Sequence, residues 1–295
     1  MTDPFDPAAR FARLKSRPVV LEARDLARLY HGSRGPTTAL EHIDLQVHRR
    51  EFMTVVGPSG SGKSTLARVL AGLDPHDRGE VLVDGRPVRG PGRDRGMVFQ
   101  AYSLFPWRTV LGNVMFGPLM NGEGHDEARA KALQYLELVN LEHLAERWPH
   151  QLSGGQRQRV AIARALANEP RILFMDEPFG ALDPHSRATL QANLLELWQN
   201  IPITIVFITH DLDEAILLAD RILVLGAADE AHPGGWVREI VEVPLPVPRR
   251  PEMLIDPVFR ALRERLHDLI HPDRATVRIE RSRVYRLAAA GDDVR

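Results

Sequence analysis

The run Gly57-Pro58-Ser59-Gly60-Ser61-Gly62-Lys63-Ser64-Thr65 combines glycines, hydroxyls and a single lysine. Phe52-Met53-Thr54-Val55-Val56 before it reads as a strand, and Leu66-Ala67-Arg68-Val69-Leu70-Ala71 after it reads as a helix that stops at Gly72. A G-x-x-x-x-G-K-[ST] turn between strand and helix is a phosphate-binding loop. Its glycines let backbone N–H groups approach an anion, and the helix adds its N-terminal dipole. Lys63 can reach β- and γ-phosphates, and the Ser64 hydroxyl can ligate Mg²⁺. A chance match to a tight turn is the competing reading. It is disfavoured because lysine occurs only at positions 15, 63 and 131 of this arginine-dominated chain. The chain is expected to bind a nucleoside triphosphate.

Other residues suit the same chemistry. Arg171-Ile172-Leu173-Phe174-Met175-Asp176-Glu177 reads as a buried parallel strand ending in two carboxylates, where ligands gather. Adjacent strand residues point to opposite faces, so Asp176 suits the Mg²⁺ shell and Glu177 suits a base for water. A strand over 203–209 ends at His210, which is equally open to a structural or a catalytic role. Leu152-Ser153-Gly154-Gly155-Gln156 leads into a helix that Ser153 can cap. That turn is either a plain capped helix or a second anion site. Tyr30, beside His31-Gly32, is expected on a loop, where it can stack on a nucleobase or serve as a partly buried turn residue. A strand over 96–100 ends at Gln100, and Leu104-Phe105-Pro106-Trp107 follows in a loop. Its two aromatics need either a local core or a partner to cover them.

These residues need a scaffold. The 295 residues are 44% hydrophobic, enough for a full core in one large domain or two small ones. A net charge of −1 gives no basic field for nucleic acid. The absence of cysteine excludes disulfides, thiolate zinc sites and cysteine nucleophiles. The start has no secretory pattern, and no apolar run approaches the ~18 residues that span a bilayer. A cytoplasmic protein is expected, with a peripheral seat on a membrane partner left open. Residues 1–18 read as a polar tail with a helical patch near Phe11 and Leu14. Strands are expected at 19–23, 43–47 and 79–85, the last closed by an Asp-Gly turn. An amphipathic helix is expected over 126–146, with Leu133, Leu136 and Val139 or Leu138 on its apolar face. Residues 243–248 read as extended, and 256–270 as a helix presenting Phe259, Leu262, Leu266 and Leu269.

Taken together and in order, the motifs resemble those of the ATP-binding cassette (ABC) ATPases. Walker A is Gly57 to Thr65, the Q-loop glutamine is Gln100 and the signature is Leu152 to Gln156. Walker B ends at Asp176-Glu177, the D-loop is Ala181-Leu182-Asp183, the switch histidine is His210 and the A-loop tyrosine maps to Tyr30. The resemblance covers about 19–226, and the loops at 90–96 and 104–110 look like the nitrate/sulfonate/taurine import branch. The entry to Walker A reads Arg50-Glu51-Phe52 where the family usually has Gly-Glu, which implies only an altered turn.

The resemblance implies an α/β P-loop NTPase fold with a parallel-sheet core, an antiparallel β subdomain and an α-helical subdomain near 101–160. The ATPase domain would span 19–245, followed by a C-terminal extension over 246–295. It also implies ATP and Mg²⁺ as cofactors. Two copies would meet head to tail, each ATP lying between one Walker A and the partner's Ser153-Gly154-Gly155-Gln156 and Asp183. Glu177 would polarise water, His210 would contact the γ-phosphate, and Gln100 would sense Mg²⁺ and signal to membrane subunits. The implied function is ATP hydrolysis driving import of a small solute through a separate permease, fed by a solute-binding protein, on the inner face of the membrane. A soluble ABC ATPase acting on ribosomes or DNA would show paired cassettes or coiled-coil heptads, and neither is visible. An exporter ATPase is the other alternative, and a plain P-loop kinase lacks the signature.

Overall fold

The computed structural model describes residues 6–32, 35–101 and 103–272. The chain opens with α1 (Pro7–Lys15), β1 (Val19–Gly32), β2 (Gly35–His48), β3 (Phe52–Val56), α2 (Lys63–Leu70), β4 (Arg78–Val83), β5 (Arg86–Pro87) and β6 (Arg95–Val98). Three helices follow: α3 (Val110–Met120), α4 (His125–Leu138) and α5 (Gly154–Leu166). Then come β7 (Ile172–Asp176), α6 (Pro184–Asn200), β8 (Thr204–Ile208), α7 (Leu212–Leu218), β9 (Arg221–Gly226), β10 (Trp236–Glu242) and α8 (Pro257–Ile270).

One sheet runs β10-β9-β3-β8-β7-β6, parallel except for β10 at its edge. Its central strands β3 and β8 are buried along their whole length and apolar but for Thr54 and Thr204, because both faces are covered. Along β7, Ile172 and Phe174 pack under the smaller, antiparallel sheet β2-β1-β4-β5, whereas Leu173 and Met175 pack under the helices. In β8, Val206 and Ile208 divide from Ile205 and Phe207 in the same way. Each fully buried Leu or Phe contributes about 2 kcal/mol of transfer free energy. Helix α2 lies between the two sheets, so the phosphate-binding loop is held from both. Helices α3, α4 and α5 form the helical layer on the other face.

Several local expectations are corrected. The strands expected at 19–23 and 43–47 extend into the 14-residue β1 and β2. Register shifts occur between Ala23 and Leu26, where Asp25 takes φ +46°, and such a bulge breaks the period of two that a short reading follows. Tyr30 therefore lies in a strand, paired with Thr37, rather than on a loop. The helix expected over 126–146 stops at Leu138, because Asn140 turns the chain at φ +55°. Leu136 and Val139 are buried, Leu133 is half-buried and Leu138 is exposed. Arg50 adopts φ +56°, a conformation that favours glycine, which gives the family's usual Gly-Glu a physical reason.

The helical patch near Phe11 and Leu14 is α1, capped by Asp6, and both side chains are buried. Rather than trailing as a tail, α1 is docked. Arg10 donates to the Leu245 carbonyl at 2.8 Å and pairs with Asp220, whose other oxygen accepts Phe52 N at 3.0 Å. Arg249 is buried in the same place, donates to the Ala219 carbonyl, and burial pulls its pKa down to about 9. On α8, Phe259, Leu262 and Leu266 are buried against β9 and α7, and Leu269 is half-buried beside them.

Candidate nucleotide site

β3 ends at Val56, and the chain turns through 57–62 into α2. Gly62 caps α2 at φ +80°, and a Cβ there would lie 2.6 Å from the Ala39 carbonyl. No other residue fits that approach without moving β2. Lys63 donates to the Gly57 and Pro58 carbonyls, each at 2.9 Å. Burial lowers its pKa, against the pull of Glu177 and Asp176. The Ser64 hydroxyl donates to Asp176 Oδ1 at 2.9 Å across the sheet. Burial raises the Asp176 pKa, countered by the Ser64 hydrogen bond.

Glu177 lies just beyond β7 at φ +44°, so a left-handed residue, not strand alternation, separates the two carboxylates. Its Oε2 faces two groups from other elements: Gln100 Nε2 at 3.4 Å and His210 Nδ1 at 3.3 Å. Gln100 sits two residues past β6 rather than at its end, and His210 two past β8. The structure thus gathers residues 57–65, Gln100, Asp176, Glu177 and His210 at the carboxyl ends of parallel strands. Ser64 and Asp176 offer hard oxygen donors, a set that fits Mg²⁺ with phosphates and water completing its shell.

Tyr30 is tied to α2 through Asp74, to which its hydroxyl donates at 3.3 Å and Arg68 donates at 2.9 Å, and Arg28 lies 4.7 Å over its ring. Its 40% exposure leaves surface for stacking. Ser153 caps α5: its hydroxyl accepts from Gln156 N at 3.3 Å, and Gln156 Oε1 accepts from Ser153 N at 2.9 Å. Asp183 caps α6 by accepting from Ser186 N at 3.0 Å. Among the described residues, no hydrogen bond or ion pair joins 153–156 or Asp183 to the phosphate-binding loop.

Sequence reasoning missed two supporting residues. Arg187 donates to the Leu182 carbonyl at 3.1 Å and lies 3.8 Å from Asp211, tying the segment before Asp183 to the one after His210. Asn113, fully buried on α3, accepts from Phe105 N at 2.8 Å and donates to the carbonyls of Phe105, Arg108 and Thr109. Nothing short of the folded loop signals that role. The two aromatics split between the expected alternatives. Phe105 packs edge-on to Phe116 at 4.7 Å, whereas Trp107 is 69% exposed.

The ABC transporter family profile matches residues 40–180. An uncharacterised ABC transporter ATP-binding protein of Methanocaldococcus jannaschii is 48% identical over 78% of this chain and 85% of its own. The chain belongs to the ABC transporter family. This ABC subunit is also similar to the nitrate import ATP-binding protein NrtD of Synechocystis sp., 49% identical over 75% of this chain and 81% of that one. The dimeric ABC transporter cassette MJ0796 superposes with a TM-score of 0.66 at 34% identity, covering 76% of this chain and 98% of that one. The same cassette is known in a post-hydrolysis state bound to ADP and phosphate. The chain is therefore an ATP-binding, ATP-hydrolysing subunit of the ABC transporter family. No described helix is long and apolar enough to cross a membrane.

Proposed function

We propose that this ABC subunit energises import of a small solute of the nitrate/sulfonate/taurine type through a separate permease. The observation that carries the reading is its 49% identity to a nitrate import ATP-binding protein over 81% of that chain. Similarity to the aliphatic sulfonates import protein SsuB of Bacillus cereus, 38% identical over 89% of that chain, supports it.

In this reading Gly57 to Thr65 hold the phosphates, with Lys63 neutralising their charge. Ser64, Asp176 and Gln100 would hold Mg²⁺, which would supply charge neutralisation at the phosphates. Glu177 accepts the proton of the attacking water, and His210 at 3.3 Å orients it and contacts the γ-phosphate. Tyr30 stacks on the base, while Ser153, Gly154, Gly155, Gln156 and Asp183 serve the partner's ATP, their N-terminal amides presented by α5 and α6. Catalysis is then placement and charge stabilisation.

The loop over 104–108 docks on a cytoplasmic helix of the permease, with exposed Trp107 as anchor on a backbone fixed by Asn113. A solute-binding protein feeds that permease from outside, and the subunit sits on the inner membrane face. The test is co-purification with the permease encoded beside it, followed by ATP-driven uptake of nitrate and of sulfonates in vesicles. Uptake of neither, with the complex assembled, removes this solute class.

A further inference from the structure

We propose that the segment joining β9 to β10, residues 227–235, positions the phosphate-binding loop, with Gly235 as the contact and Trp236 as the anchor. The proposal rests on residues 57–65 being the ATP site and adds a wall to it that none of the family's motifs contains.

Gly235 is buried against the loop. A Cβ built there would lie 2.1 Å from the Ser61 carbonyl oxygen and 2.9 Å from its carbon. Both partners are backbone, so neither can swing aside. Gly235 N donates to the Ala39 carbonyl at 3.1 Å, and Glu41 N donates to the Gly235 carbonyl at 2.8 Å. The Ala39 carbonyl is the group that also meets Gly62. Two backbone segments therefore close on Ser61-Gly62 from outside, one from β2 and one from the β9–β10 segment. Successive peptides at such a turn aim their N–H groups at the phosphate, so their tilt sets the hydrogen bonds to ATP. Ser61 is fully buried and its hydroxyl has no hydrogen-bond partner. Packing, not a side-chain bond, fixes its carbonyl.

The segment is itself held. The Trp236 ring stacks on His232 at 4.0 Å with 12° between planes, and Arg238 lies 5.2 Å over the same ring. Asp229 fixes His232 by accepting from its backbone N at 2.8 Å and contacting its Nδ1 at 3.0 Å. Gly226 leaves space for the indole, since a Cβ there would lie 2.5 Å from Trp236 Nε1. Arg238 also donates to the Leu269 carbonyl at 2.6 Å, at the end of α8. Contacts thus run unbroken from α8 through Arg238, Trp236 and Gly235 to Ser61.

The experiment uses the full chain with ATP and Mg²⁺. Gly235→Ala should raise the KM for ATP about tenfold and leave kcat within about twofold, because the loop tilts while Glu177 and His210 stay in place. Adding ATP should change tryptophan emission in wild type and in Trp198→Phe, and Trp236→Phe should lose that change. If Gly235→Ala fails to fold, the emission comparison decides. An unchanged KM, or an emission change that survives Trp236→Phe, overturns the proposal. Lys63→Ala separates the two levels. Wild type that binds no ATP removes the underlying site. Wild type that binds, with Lys63→Ala weakened and Gly235→Ala normal, removes only the positioning role.

Discussion

Two glycine-bearing turns open helices in this chain, at 57–62 and at 153–156, and they are built differently. The turn at 57–62 is fed by the buried strand β3, closed by Ala39 and Gly235, and linked through Ser64 to Asp176 on β7. The turn at 153–156 satisfies itself: Ser153 and Gln156 cap each other, and neither bonds to the first site. The first turn is a complete cradle within one chain. In the proposed head-to-tail dimer, the second would supply half of a site whose other half is a second copy. The difference teaches that one turn depends on distant elements for its shape, while the other is fixed by its own residues.

Glu177→Gln cuts deepest into that comparison. Turnover should fall by about 10²–10⁴-fold with ATP binding retained, and the nucleotide-bound dimer should accumulate on size exclusion. Near-normal hydrolysis would move the base elsewhere. Lys63→Ala probes the braced turn directly and should weaken ATP binding by roughly 10–100-fold in equilibrium titration, since a charge-assisted contact to phosphate is lost. Ser153→Arg probes the self-capped turn. In a mixed dimer it should damage only the site whose Walker A belongs to the other subunit, so about half the turnover persists. Damage confined to the mutant's own Walker A would refute the head-to-tail arrangement.

Phe105→Ala with Trp107→Ala should leave ATP affinity intact and abolish assembly with the permease. The melting temperature should drop only modestly, because Trp107 is 69% exposed and Phe105 half-buried. A large drop would place both rings in the core. The smallest effect concerns charge burial in the braced site. Burial raises the Asp176 pKa, so its ionised form costs stability at neutral pH, and the favourable contribution exists only in acid. Asp176→Asn should therefore raise the melting temperature of the nucleotide-free subunit at pH 7 by a few degrees at most. The gain should vanish as pH falls below the ordinary carboxylate value of 3.8. A gain that persists there would point to packing instead.

What the sequence shows depends on how local each feature is. Strand, turn and helix around Lys63, the Ser153 cap and the apolar face of α8 are written in neighbouring residues, and all three are present. The outer halves of β1 and β2 are not, because half-exposed strands past a bulge lose their alternation. The convergence of Gln100 and His210 on one Glu177 oxygen joins residues from three strand ends, and only motif order pointed to it. Asn113 and Gly235 were invisible for a different reason. Asn113 matters through a loop within eight residues that folds back on its side chain, and Gly235 through backbone far along the chain; no residue pattern encodes either.

The docking of α1 bears on how the chain is made. Its Arg10 bonds the Leu245 carbonyl, a partner 235 residues away. At synthesis rates of about 5–20 residues per second, that partner is translated roughly 12–47 s after the helix. Until then Arg10 lacks that acceptor. Helix α1 is thus made well before the partner that its Arg10 bonds. During that interval it is a natural client for a chaperone, and a fusion that holds the N-terminus away from the core would prolong the wait.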